Sequence, residues 1–105
     1  MTADPASVHF KDGRLYVARP AYDRYFAECE AVILLRQDKD LLVLPVRHTA
    51  SGGYMLKIRN AAGDRVVSAV DFFRDQGLGD DAAWQGSYSW CERQGGLRLY
   101  ELFLM

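Results

Sequence analysis

Two apolar runs, Ala31–Leu35 and Leu41–Val46, stand back to back around the polar stretch Arg36-Gln37-Asp38-Lys39-Asp40. The pair reads as a β-hairpin. Its strands do not alternate, whereas a strand with one wet face sets polar residues at every second position. One face is expected to join the core. The other needs a helix, a second sheet or another polypeptide to cover it. The apolar stretch from Leu97 to Leu104 raises the same demand at the end of the chain.

The flanking pattern is also rich in hairpins. Val8–Lys11 and Arg14–Val17 bracket Asp12-Gly13, a dipeptide suited to a type I′ turn because both central positions need positive φ. Pro20 fits the first turn of a helix. Tyr22, Tyr25, Phe26 and Cys29 then recur at helical spacing, which predicts an amphipathic helix near 20–29. A polar connection over 47–53 leads into Tyr54–Arg59, with Tyr54, Leu56 and Ile58 on one side and Met55, Lys57 and Arg59 on the other. Residues 60–64 form a turn and Arg65–Val70 a returning strand. Asp71 is placed to cap a short helix over 72–76, which Gly77 stops. Ser87–Glu92 is expected to pair with Leu97–Leu104, the latter docked rather than frayed. The sum is one α+β domain over 1–105, mainly antiparallel β-hairpins forming a curved sheet or partly open barrel, with the Pro20 helix packed against or plugging it.

Composition narrows the class. The chain has 105 residues, 50% of them hydrophobic and 26% charged, enough to build a core without a disulfide or metal staple. The net charge of -1 gives no overall pull toward nucleic acid and leaves only a local patch as a route to it. Cys29 and Cys91 are far apart in sequence and form no C-x-x-C pair, so the simplest reading is two reduced, packed thiols of a cytoplasmic protein, with a disulfide between them as the alternative. Met1–Pro5 lacks the basic start and apolar middle of a signal peptide, and no apolar run is long enough to span a membrane.

Candidate chemistry is sparse. His9, His48, Cys29 and Cys91 sit at no zinc-site spacing, so neither a metal nor a cofactor is expected. Cys91 or Ser51 with His48 would supply a nucleophile and a base, but no G-x-S-x-G elbow holds a serine. The most suggestive polar group is Arg47, His48, Gly52 and Gly53 with Lys57, Arg59 and Arg65. The paired glycines allow close backbone approach and an N–H nest, and Lys57 and Arg59 share a strand side. If Arg65 lies across the hairpin, three cations converge on a site for phosphate, carboxylate or a nucleic-acid backbone. The plainer alternative is a solvated polar face, partly neutralised by Asp64 and Asp71. Trp84, in a Gly/Asp loop, is a candidate interface anchor together with Leu42 and Leu44; its alternative is a lid folded back on the core.

Gly13-Arg14-Leu15-Tyr16-Val17, followed by a proline and an Arg/Tyr-rich helical segment, loosely resembles the opening of AbrB-like swapped-hairpin DNA-binding domains, over Asp12 to about Val46. That resemblance implies a DNA-binding regulator. Two departures stand against it: Ala18-Arg19 intervene before Pro20, and the early basic loop of that family is not evident. The residues themselves favour a small non-enzymatic accessory or protein-interaction domain, forming a homodimer or docked on another protein. An anion, small-ligand or nucleic-acid-binding module is the second expectation, and a small enzyme using His48 or Cys91 the third.

Overall fold

A computed structural model describes residues 8–48, 52–79 and 81–104. The fold class is α+β, and every strand pairing is antiparallel. Among the described residues ten short strands run in chain order: β1 Val8–Lys11, β2 Arg14–Val17, β3 Ala31–Gln37, β4 Asp40–Val46, β5 Tyr54–Met55, β6 Lys57–Ile58, β7 Arg65–Ser68, β8 Ala83–Trp84, β9 Tyr88–Cys91 and β10 Gly96–Leu99. They form two five-stranded sheets, ordered β6-β7-β2-β1-β8 and β5-β3-β4-β10-β9. The sheets do not close into a barrel.

The chain passes from one sheet to the other three times, once through the helical segment between β2 and β3 and twice at corners. At the first corner, Tyr54 to Ile58 runs on as β5 and then β6, changing sheets at the buried Leu56, whose N–H bonds Glu30 O at 2.8 Å. At the second, Gln85–Ser87 link β8 to β9, and Ser87 O accepts from Tyr100 N at 3.0 Å. A strand that switches partners in this way forms the corner between packed sheets. This explains one departure from the sequence pattern. Tyr54, Leu56 and Ile58 alternate as expected, but Ile58 has already crossed to an edge of the first sheet and is 69% exposed.

The core lies between the sheets. Phe10, Leu15, Val17 and Val67 face inward from the first, and Val32, Leu34, Leu41, Val43, Leu97 and Leu99 from the second. A short helix, α2 (Val70–Asp75), sends Phe73 between them, its ring 4.4 Å from Phe10 and 6.3 Å from Phe103. Asp71 does not cap this helix. Ala69 holds the cap position without a side-chain bond, and Asp71 sits in the first turn, where a carboxylate still favours the positive helix end. The helix stops at Gly77 (φ 91°): Gly77 N bonds Arg74 O at 2.9 Å and Leu78 N bonds Phe73 O at 3.0 Å. This is a Schellman termination, closed by the buried Leu78 and Phe73.

The helix expected near 20–29 is shorter and wound differently. One α turn, α1 (Arg19–Ala21), runs straight into a π turn, Tyr22–Phe26, and Glu28 at φ 66° ends it. The aromatic stripe still faces inward, with Phe26 buried and Tyr25 stacked on Trp90 at 5.7 Å. No side chain of its own caps α1. The carboxylate of Asp64 does so from a distant turn, accepting from Arg19 N at 2.8 Å. The last strand also ends early, at Leu99. Glu101 (φ 60°) turns the chain into a 3-10 turn, Leu102–Leu104, that buries Leu102 and Phe103.

Candidate interaction face

The hairpin β3–β4 is apolar on both sides because its two faces meet different surroundings. Register places Ile33 opposite Leu44, Leu35 opposite Leu42, and Ala31 opposite both Val46 and Met55. Directly opposed residues share a face. Val32, Leu34, Leu41 and Val43 belong to the core on the inner face. Ile33, Leu35, Leu42, Leu44, Val46 and Met55 therefore line the outer face. Leu35 is 42% exposed and Met55 53% exposed.

Leu42 is only 2% exposed, yet it lies outside the core cluster. It sits opposite Arg98 as well as Leu35. Arg98 is held in place at its tip, donating to Gln37 Oε1 at 2.7 Å and pairing with Asp40 at 3.5 Å. Its aliphatic stem is thus available to cover apolar surface while the charged head stays paired. Gly96 completes this border. A Cβ there would lie 2.8 Å from Leu44 Cδ2 and 3.2 Å from Leu42 Cδ1, so the bare backbone gives both leucines room. At the far end Arg47 approaches Glu28 at 3.8 Å, an exposed pair worth little by itself. The face is an uncharged strip with charged groups at its borders.

Trp84 is not part of this strip. It pairs with Phe10 on the first sheet, packs partly buried against the core, and donates its Nε1–H to Tyr100 O at 3.0 Å. Leu42 and Leu44, named from the sequence, share the strip with Ile33, Leu35 and Met55, which were not. Leu35 lies in the same doubly apolar run, so the run itself carried the signal. Met55 needed the β3–β5 register.

The basic residues separate into three places. Arg47 and His48 are exposed beyond β4, and Gly52 and Gly53 lead into β5 at φ 90° and 95°. Thr49–Ser51, the rest of that connection, lie outside the described residues. Gly53 presses on β3: a Cβ would fall 2.6 Å from Val32 O. Lys57 and Arg59 lie on the outer side of the first sheet, with the Arg59 guanidinium 4.7 Å from the centre of the Tyr16 ring. Arg65 is across the ladder from them, but alternation turns it to the opposite face. There it covers Tyr22 at 4.0 Å and donates to Gly63 O.

Two titratable groups are displaced from their usual range. Asp64 is held below it, first by the Asn60 side-chain amide and then by the Arg19 N–H, with Arg59 adding a smaller pull. Burial pushes the Cys29 thiol up, against a lesser opposing effect of Arg47. Both cysteines are free, and the Cys91 thiol donates to Gln94 Oε1 at 3.6 Å. Among the described residues no three His, Cys, Asp or Glu side chains gather as metal ligands, and no helix is long and apolar enough to cross a membrane.

Comparison with protein-family models, curated proteins and solved structures finds no match.

Proposed function

We propose that this protein is a small, non-enzymatic, cytoplasmic accessory domain that pairs with a second copy of itself through the outer face of its second sheet. The observation that carries the reading is the apolar strip of Ile33, Leu35, Leu44, Val46 and Met55 around the buried Leu42, on the face turned away from the inter-sheet core, with Leu35 and Met55 exposed. Exposed apolar clusters of this kind mark association surfaces in soluble proteins. A second copy is favoured over an unrelated partner because the strip carries no charge. Across a two-fold axis each patch meets its own image, so a charged patch would meet like charge, whereas an apolar one does not. The bordering Arg98 is already neutralised by Asp40. The free, well-separated cysteines support the compartment.

Sedimentation equilibrium over a wide range of protein concentration tests this, with native mass spectrometry as a check on composition. The expected result is a reversible monomer–dimer equilibrium with no added mass. A chain that stays monomeric throughout, or that carries a second polypeptide in place of its own copy, overturns it.

A further inference from the structure

The outer face of the first sheet has a different chemistry. Register builds two rows across it: Lys57, Val66, Tyr16 and His9 in one, and Ser68, Arg14, Lys11 and Ala83 in the next. Arg59 joins the first row over Tyr16. Four cations thus share one face, and no outward strand position on it carries a carboxylate, in a chain whose net charge is -1. The rows lie roughly 7 Å apart along the strands, comparable to the reach between successive phosphates of an extended strand.

The aromatic groups on this face form an ordered stack. The His9 and Tyr16 rings lie 4.8 Å apart and 14° from parallel, and the Arg59 guanidinium closes the far side of Tyr16. The other side of His9 borders a cleft of about 380 Å³ that it lines with Lys11, Ala83 and Gln85, a volume within the range of small-ligand sites. His9 Nδ1 is shut off from solvent and has no hydrogen-bond partner. Such an unsatisfied group in a fold is a feature that calls for a reason.

We propose that this face binds single-stranded nucleic acid, with phosphates on Lys11, Arg14, Lys57 and Arg59 and one base in the cleft, extending the stack on His9. Cations along a backbone track combined with an aromatic ring open to a base are the two components of such sites. A duplex keeps its bases stacked on one another and cannot offer one to a ring set down in a cleft. The inference is independent of self-association, since it uses the other sheet.

The test is fluorescence anisotropy of the full chain with labelled eight-nucleotide oligothymidylate and oligouridylate at low salt. Binding of at least one is expected, with log affinity falling against log salt at a slope of about -3 for four phosphate contacts, and about 1.4 shallower for Lys11→Ala with Lys57→Ala. His9→Ala is expected to weaken binding about five- to a hundredfold. His9→Phe, which keeps a ring in the stack, binds as the wild type does; this variant decides the matter should His9→Ala lower the melting temperature. Failure of both oligonucleotides to bind overturns the proposal. So do equal affinity for a duplex or for inorganic polyphosphate of the same charge, competition by a free nucleoside monophosphate as strong as by the oligomer, and loss of binding in His9→Phe.

Discussion

Leu35→Ser with Met55→Ser strips the two most exposed side chains from the outer strip of the second sheet. Fully burying a leucine or methionine side chain contributes about 1.5–3 kcal/mol. Scaled by exposures of 42% for Leu35 and 53% for Met55, the two carry about 1.5–3 kcal/mol per copy. A two-fold pair uses each of them twice, so the double variant loses about 3–6 kcal/mol of association and weakens the dimer by roughly a hundredfold or more. Neither side chain belongs to the core, so the melting temperature of the monomer should hold. Sedimentation velocity of wild type and variant at matched concentrations reads the difference. A dissociation constant within threefold of wild type would refute the argument, because it would show that the strip is not what the copies bury.

Two further outcomes follow from the fold. Gly53→Ala places a Cβ 2.6 Å from Val32 O at a φ of 95°, so it should destabilise the fold by about 1–3 kcal/mol, read from urea midpoints, whereas Gly52→Ala pays only the positive-φ strain because nothing lies within 4 Å of its Cβ position. Asp64 titrates below its unfolded value of about 3.9, so the stability it contributes is complete above that pH and disappears as pH falls through the depressed folded value. The gap in melting temperature between wild type and Asp64→Ala should then be constant from neutral pH down to about 4 and shrink in stronger acid; a gap that persists there would remove the Asn60–Asp64–Arg19 link from the account.

Hairpins were legible because their signals are local. Asp12-Gly13 takes φ of 55° and 77° with Lys11 opposite Arg14, as the dipeptide requires. The doubly apolar hairpin was also legible, since a strand with two apolar faces can be read without knowing what covers either. What could not be read were relations between distant segments. That Tyr54–Ile58 divides between two sheets depends on which strands lie beside it, and alternation alone is blind to that. The cap of α1 comes from Asp64, 45 residues away, so no local cap signal exists at Ala18. The π turn arises where a helical stripe must also deliver Tyr25 onto Trp90, a packing demand that helical periodicity does not encode. For the same reason the basic residues looked like one group. Lys57 and Arg65 lie on one ladder, but Arg65 stands opposite Ile58 and not opposite Lys57, which sends it to the other side.

The two corners have a consequence for how this protein behaves at high concentration. The first sheet ends on β6 and β8 and the second on β5 and β9, and none of these edge strands exceeds four residues. At each corner an edge of one sheet continues directly into an edge of the other. These edge strands themselves offer a neighbouring chain only short rows of backbone donors and acceptors, whereas long rows are the usual entry to fibrous aggregation. On the proposed self-pairing, contact between copies uses a face instead of an edge, and a face that meets its own image is satisfied once two copies have joined.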